Sequence, residues 1–263
     1  MGPTVQTWHY GLVARWWAEF SEGGDDIEYF GDAIRRYGEP ALDAGCGTGR
    51  LLIPLLRSGM DIDGSDVSED MLTWCASRAE SEGLSATLYQ QAMHELALPR
   101  RYRTVVLCGS FGLGGTRFTD LEGLRRIFSH LEPGGTLVMD HHPPKSDSDY
   151  GEVQAGSLEL PCGWPEQGDR RRSGDGTDLE LRTRLLTVDS VERTVTREIS
   201  VRKFVDGAEV ANESYSIVIC GYSAADVESM LEEVGFGDIR VTGTLEDHSP
   251  NFSDERVVFE ASA

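Results

Sequence analysis

Hydrophobic positions near the N-terminus recur at helical spacing. A stripe of large side chains predicts a first helix, and its members are Tyr10, Val13, Trp17 and Phe20. The pair Gly23 and Gly24 interrupts this periodicity, and a second helix is predicted over residues 25–37. We therefore expect residues 1–38 to form a helical cap.

Between residues 40 and 140, short apolar runs alternate with amphipathic stretches of helical length. The runs that predict buried strands are 41–42, 60–62, 86–89, 104–107 and 136–139. Helices are predicted over 68–79, which begins with Ser68 and two acidic residues, and over 120–131, before a turn at 133–135. This alternation implies parallel strands joined by right-handed crossovers.

The pattern changes again after residue 143. Residues 143–176 are rich in Pro, Gly, Ser and Asp, and a loop is predicted there. Alternation with a period of two then predicts three antiparallel strands, over 179–188, 194–204 and 210–219. A helix over 224–234 and strands over 239–242 and 257–260 follow.

These elements predict an α/β fold with a doubly wound, mostly parallel, seven-stranded Rossmann-like sheet. We expect residues 39–142 and 221–263 to build that core, under the N-terminal helical lid. The inserted antiparallel β meander would occupy residues 143–220 and serve as a substrate lid, a dimer surface, or both.

The charge balance disfavours anionic partners. The chain has 24 Lys and Arg against 45 Asp and Glu, a formal net charge of -21. Nucleic-acid backbones and anionic membrane surfaces repel such a protein on average, so neither is an expected partner. The only obvious basic patch is residues 170–172.

The five cysteines indicate a reducing environment. Their number is odd, and none belongs to a Cys-x-x-Cys pair or stands beside a histidine at metal-ligand spacing. A disulfide framework and a zinc site are therefore disfavoured, and a cytoplasmic location is predicted. Residues 1–20 contain no uninterrupted apolar stretch, so neither a secretion signal nor a membrane span is predicted there.

The stretch that carries chemistry follows the first predicted strand of the sheet. Residues 43–49 read DAGCGTG, and glycines at such a turn let the backbone approach a ligand closely. A dinucleotide fingerprint would need glycine at position 50, where this chain has Arg50. Residues 64–72, GSDVSEDML, place Asp66 at the end of the second strand, where a carboxylate can accept hydrogen bonds from both ribose hydroxyls.

Together with residues 131–137, LEPGGTL, these motifs resemble the class I S-adenosylmethionine-dependent methyltransferases. The resemblance covers roughly residues 40–140 and implies S-adenosylmethionine as cofactor and S-adenosylhomocysteine as product. It places Gly45, Cys46 and Gly47 under the methionine part, with Asp43 shaping the turn. Cys46 is expected to be a small buried residue rather than a reactive thiol.

The same resemblance assigns the adenosine contacts. Asp66 would take the ribose hydroxyls, with Val67 and Met71 against the adenine. Many relatives have an aspartate after the third strand that contacts the adenine amino group, but this chain has Ala92 there. That departure leaves Met93 to contribute packing and backbone bonds.

Residues after the fourth strand are expected to line the methyl-transfer side. Cys108 and Ser110 are predicted cofactor contacts, and Phe111 is a predicted acceptor contact. The Asn/Asp-Pro-Pro-Tyr signature of many nucleic-acid and protein-glutamine methyltransferases is absent at this position. With the negative charge, this favours a small-molecule acceptor.

The cap supplies further candidates by resemblance to small-molecule methyltransferases, in which an N-terminal helix closes over the site. Tyr10 or Arg15 would then meet the cofactor carboxylate, although both also suit packing or solvated surface. Of the neighbouring Trp16 and Trp17, we take Trp16 as a candidate acceptor contact, the alternative being core.

The pair His141 and His142 follows the fifth strand, whose carboxyl end should open on the site. Either ring could take a proton from an acceptor hydroxyl or ammonium. The alternative is that one ring bonds to the backbone while the other is exposed. Tyr222 is a weaker substrate candidate. No metal is predicted, because Asp140 and the two histidines lack a further carboxylate pair.

The predicted function is methyl transfer to an O or N atom of a small molecule. Two alternatives stay open: other chemistry on this fold, such as a cyclase, decarboxylase or hydrolase, and a non-catalytic cofactor-binding protein. A dehydrogenase is opposed by the glycine spacing. The acidic surface suits a cationic acceptor such as an amine or amino sugar, and the protein is expected to be a monomer or homodimer.

Overall fold

The computed structural model describes residues 7–143, 159–243 and 256–263. Two helices open the chain, α1 (Gly11–Phe20) and α2 (Asp26–Tyr37), which confirms both predicted helices. The alternating region follows as β1 (Ala41–Ala44), α3 (Leu52–Arg57), β2 (Ile62–Asp66), α4 (Glu69–Ser81), β3 (Leu88–Gln90), β4 (Tyr102–Leu107), α5 (Arg117–His130) and β5 (Leu131–His141). Near the C-terminus lie α6 (Ala224–Val234), β10 (Gly237–Gly243) and β11 (Val257–Ser262).

Seven of these strands form one sheet in the order β10-β11-β5-β4-β1-β2-β3. Strand β11 runs antiparallel to both of its neighbours, whereas β1 is parallel to β2 and β4. The predicted doubly wound, mostly parallel sheet is therefore confirmed. The strand order reverses between β1 and β4, which is where open α/β sheets bind ligands at the carboxyl ends of their strands.

Alternate residues of the strands feed two apolar layers, one on each face of this sheet. Leu137 and Met139 of β5 join the layer beneath α5 and α6. Val138, between them, joins the layer formed with α2, α3 and α4. Burial on both faces explains why the strands read as continuous apolar runs rather than as alternating patterns.

The second sheet is antiparallel, as the meander predicted. Its order is β6 (Asp169–Arg172), β7 (Asp178–Asp189), β8 (Thr194–Val205) and β9 (Ala208–Cys220). Helix α1 packs on one face through an apolar cluster that includes Val13, Trp16, Leu179, Ile199 and Val201. Of the four residues whose spacing predicted α1, only Val13 is among the buried residues of this cluster.

Two local predictions were wrong. Strand β6 lies in the predicted loop, because its sequence DRRR has no apolar alternation and pairs only at a sheet edge, where Arg170 and Arg172 reach Asp178. The turn predicted at 133–135 lies inside β5, opposite a register irregularity between Tyr102 and Thr104 of β4. Within the described residues, no helix is long and apolar enough to cross a membrane.

Candidate functional site

A cavity of about 400 Å³ opens at the carboxyl ends of β1, β2 and β4. The floor of the cavity is formed by Met71 of α4 and by lining residues of the sheet and its turns, within 43–51, 65–67, 91–94 and 108–110. Its roof consists of Thr7, Trp8, His9, Trp17 and Ser21. A side wall comes from the loop and first helical turn after β4, with Leu113, Gly115, Thr119 and Asp120.

The glycine turn after β1 is held rigidly against β2. The backbone N–H groups of Gly45 and Cys46 both donate to the carbonyl oxygen of Ser65, at 2.7 and 2.9 Å. Gly45 has φ +79°, and a Cβ there would lie 2.6 Å from Cβ of Ser110. Only glycine fits this position, so the turn presents bare backbone to the cavity.

Asp66 is oriented by the backbone on both sides. Its Oδ2 accepts from the N–H of Gly47 at 2.9 Å, and its Oδ1 accepts from the N–H of Ser68 at 2.8 Å. Burial raises the pKa of Asp66, while these backbone bonds oppose the rise. Each carboxylate oxygen can accept a further hydrogen bond, which suits a ligand with two adjacent hydroxyls.

Two residues of the cavity lining each contain a buried polar atom that has no hydrogen-bond partner among the described residues. These atoms are Oδ2 of Asp43 on the floor and Nε1 of Trp17 on the roof. Burial raises the pKa of Asp43 to about 7. An unpaired acceptor and an unpaired donor in one cavity suit a ligand that carries both a cationic and an anionic group.

Arg50 ties the glycine turn to the N-terminal helices. Its guanidinium donates to both carboxylate oxygens of Asp26, at 2.8 and 2.7 Å, and to Sγ of Cys108 at 3.1 Å. Burial alone would raise the pKa of Asp26, but the hydrogen bonds and charge of Arg50 lower it. Sequence reasoning used Arg50 only against a dinucleotide fingerprint and missed this structural role.

All the cofactor contacts that were predicted outside the N-terminal cap line this cavity. They are Asp43, Gly45, Cys46, Gly47, Asp66, Val67, Met71, Ala92, Met93, Cys108 and Ser110. Cys46 is also buried, and a hydrogen bond with Cys75 and burial raise the pKa of its thiol. The structure thus brings these residues together, while their individual roles stay predictions.

The residues predicted on the cap lie elsewhere. The Tyr10 ring packs against Tyr215, with centroids 5.9 Å apart. Arg15 forms ion pairs with Glu19 and Asp175. Trp16 is buried in the cluster between α1 and the second sheet, so its neighbour Trp17 faces the cavity instead.

The acceptor-side candidates form a separate aromatic cluster beyond the side wall. Phe111 packs against Tyr222 and His141, at centroid distances of 5.7 and 6.2 Å. The buried His141 ring donates from Nε2 to the carbonyl oxygen of Tyr222 at 2.8 Å, and burial lowers its pKa. His142 is exposed. None of these four lines the cavity, and their catalytic or substrate roles stay predictions.

The sequence motifs did not indicate the first three residues of the roof or Asp120 of the side wall. Thr7, Trp8 and His9 carry no motif, and nothing in the sequence shows that they fold back over the site. Asp120 falls at the start of a predicted helix and looks like a residue of its first turn. Contacts between distant segments bring all four to the cavity.

Comparison with known proteins identifies a methyltransferase domain in the chain. A family described as a methyltransferase domain matches residues 41–135, which include the glycine turn and Asp66. A putative methyltransferase from Geobacillus sp. (strain WCH70) is 26% identical over 236 residues, 87% of each chain. Residues 41–135 are a methyltransferase domain, and the protein is an S-adenosylmethionine-dependent methyltransferase.

Two further proteins similar to this methyltransferase carry the names of sugar N-methyltransferases. The dTDP-3-amino-3,4,6-trideoxy-alpha-D-glucopyranose N,N-dimethyltransferase of Streptomyces venezuelae is 36% identical over 101 residues, 38% of this chain and 40% of the relative. The X-ray structure of the sugar N-methyltransferase KedS8 from Streptoalloteichus sp has a TM-score of 0.70 at 18% identity. It covers 100% of this chain and 95% of its own, and it shows a shared fold.

The residues of the cavity fit S-adenosylmethionine. The bare turn at Gly45 leaves room for close contact, and Asp66 offers two oxygens to a ribose. The unpaired Oδ2 of Asp43 and Nε1 of Trp17 match the ammonium and carboxylate of an amino-acid moiety. The cofactor of this methyltransferase is S-adenosylmethionine.

Proposed function

We propose that this methyltransferase methylates an amine nitrogen of a small-molecule acceptor, with an amino sugar as the preferred class. The observation that carries the proposal is the similarity to the Streptomyces venezuelae enzyme, whose name specifies an amino sugar and N,N-dimethylation. The net charge of -21 disfavours nucleic acids as acceptors, which is consistent with a small molecule.

The cofactor would lie along the floor. Asp66 binds the ribose hydroxyls, Val67 and Met71 pack on the adenine, and the turn at Gly45 runs beneath the methionine part. Asp43 takes the ammonium group and Trp17 donates to the carboxylate from the roof, a role that the sequence suggested for Tyr10 or Arg15. When bound, the cofactor supplies a methyl group on a sulfonium sulfur.

The protein's own contribution is positioning and exclusion of water. Holding two reactants in line can lower a barrier by up to about 7–11 kcal/mol. The roof is held over the cavity because His9 is anchored beside the floor: its carbonyl oxygen accepts from Oγ of Ser68, the residue after Val67, at 2.5 Å. Two residues later, the N–H of Gly11 donates to Oδ2 of Asp70 at 2.6 Å.

Each segment of the chain has its own function in this proposal. Residues 1–38 act as the cap, residues 39–142 and 221–263 as the cofactor-binding core, and residues 143–220 as a substrate or dimer subdomain. The methyltransferase would work in the cytoplasm, as a monomer or homodimer and without a nucleic-acid or membrane partner.

The test is a product assay with purified protein. S-adenosylmethionine is incubated with a panel that pairs each amine, including dTDP-3-amino-3,4,6-trideoxyglucose, with its hydroxyl analogue. Mass spectrometry should find S-adenosylhomocysteine together with N-methylated products. Methylation of the hydroxyl analogues alone would contradict an amine acceptor. Cofactor consumption without any methylated product would indicate other chemistry on this fold.

A further inference from the structure

The cavity contains one carboxylate that no cofactor motif uses. Its described lining has three: Asp43 and Asp66 belong to the motifs after β1 and β2, and Asp120 lies in the first turns of α5. A carboxylate so enclosed is costly unless it is paired or used, because burial penalises the charged form. Asp120 therefore calls for a functional explanation.

The position of Asp120 is set by the start of α5. Thr116 and Thr119 form a reciprocal capping box that fixes the first turn of the helix. Oδ1 of Asp120 lies beside Gly115, where an added Cβ would be only 2.9 Å away. Since Gly115 has no side chain, no Cβ covers this oxygen from that side, and Gly115 and Asp120 both line the cavity, as does Ser110.

The other oxygen is anchored. The hydroxyl of Tyr222 donates to Oδ2 of Asp120 at 2.7 Å. Tyr222 itself is only 7% exposed, packs against Phe111, and has its carbonyl bound by His141. One oxygen is thus fixed by a buried cluster, and the carboxylate belongs to a residue of the cavity lining, which is the geometry of an oriented carboxylate acceptor.

The groups that face Asp120 keep it ionisable near neutrality. Burial raises its pKa to about 6, while hydrogen bonds from Tyr222 and Cys220 and the nearby His94 oppose the rise. Burial raises the pKa of Cys220 to about 12 and raises that of Tyr222, so both remain protonated donors. Asp120 is therefore a carboxylate at pH 7 that can hold a proton transiently.

We propose that Asp120 binds the ammonium group of the acceptor and accepts one of its protons, with Tyr222 as the positioning residue. This inference rests on the proposed amine acceptor. The N–H bond breaks and an O–H bond forms at Oδ1 of Asp120. The nitrogen lone pair then forms the new N–CH₃ bond as the C–S bond breaks, and that electron pair stays on sulfur.

The experiment compares wild type with Asp120→Asn, using dTDP-3-amino-3,4,6-trideoxyglucose as the acceptor probe. A general base contributes about 10²–10⁴-fold, so kcat/KM should fall by at least about 100-fold. In the wild type, kcat/KM should rise with pH through about pH 6, because the base must lose its proton. This rise should be absent in Asp120→Asn. Affinity for S-adenosylhomocysteine, measured by calorimetry, should stay unchanged.

Two further variants separate this role from a structural one. Glu122→Gln removes a carboxylate from the same helix outside the cavity lining and should leave kcat/KM and the pH profile unchanged. Tyr222→Phe removes a hydrogen bond that lowers the pKa of Asp120, so the acidic limb should move to higher pH. A merely structural tyrosine would not move that limb.

Three results would overturn the inference. A marked loss of S-adenosylhomocysteine affinity in Asp120→Asn would place the carboxylate against the cofactor. Amine turnover with an unchanged acidic limb in Asp120→Asn would exclude it as the base and leave the proposed function standing. Failure of the wild type to methylate any amine, while it binds S-adenosylhomocysteine, would remove the proposed function and this inference together.

Discussion

The floor and the roof of the cavity are built on different principles. On the floor, the bare backbone at Gly45 and the carboxylate of Asp66 belong to two sequence motifs, and hydrogen bonds between those motifs hold them in place. On the roof, the functional faces depend on how α1 packs against the second sheet. Trp16 turns into that packing, and Trp17, one residue later, turns into the cavity.

This difference between floor and roof shows which parts of the site a sequence motif can predict. A glycine turn between a strand and a helix has a predictable geometry, since the positive φ values that it uses are unfavourable for other residues. A helix, by contrast, offers several faces, and the most apolar contact available decides which one is buried. Tests that affect the floor and the roof differently can sharpen this contrast.

The largest effect is expected on the floor. Asp66→Ala should weaken S-adenosylhomocysteine binding by about 100-fold or more, because each hydrogen bond to a charged group is worth about 1.5–3 kcal/mol. Calorimetry measures this directly. The control is Asp61→Ala, which removes an exposed carboxylate paired with Arg100 before the same strand. Unchanged affinity in Asp66→Ala would contradict our placement of the cofactor.

A smaller effect is expected on the roof. Trp17→Phe keeps most of the aromatic packing but removes the unpaired indole N–H. We expect cofactor affinity to fall by about 10-fold, the equivalent of about 1.4 kcal/mol, which is close to the range for one hydrogen bond to a charged group. Trp16→Phe is the matched control and should alter stability rather than affinity. Equal affinity in wild type and Trp17→Phe would remove Trp17 from the binding site.

The aromatic cluster beyond the side wall should respond mainly in stability. His141→Asn removes a buried ring whose Nε2 bonds to the Tyr222 carbonyl, at a cost of about 1–3 kcal/mol. We expect a lower melting temperature and a loss of turnover smaller than that of Asp120→Asn; His142→Asn, at an exposed position, is the control. A loss of turnover as large as that of Asp120→Asn, at unchanged stability, would instead support the histidine base.

The smallest effect concerns the ion pairs between α1 and the turn that joins β6 to β7. Arg15→Ala removes ion pairs to Glu19 and Asp175, and we expect a decrease of about 2–4 °C in melting temperature for a loss near 1 kcal/mol. Cofactor affinity should remain that of wild type, because Arg15 lies outside the cavity lining. A weakened affinity without a change in melting temperature would return Arg15 to the site, as the sequence suggested.

Much of the core could be predicted because its signals are local. The apolar runs of β1, β4 and β5 each specify a buried strand, the motif around Asp66 specifies a strand end and the helix after it, and the structure agrees. Strand β6 could not be predicted, since an all-polar edge strand exists only through its partner β7. Asp120 could not be recognised either, because Tyr222, its anchor, lies 102 positions further along the chain.

The amino-acid sequence by itself determined the doubly wound sheet, the glycine turn and the carboxylate of Asp66, because backbone conformation and strand burial depend on neighbouring residues. Only the tertiary structure decided that Trp17 rather than Trp16 meets the cavity, and that Asp120 completes its side wall. Those outcomes depend on contacts between distant segments, whose packing energies no local pattern contains.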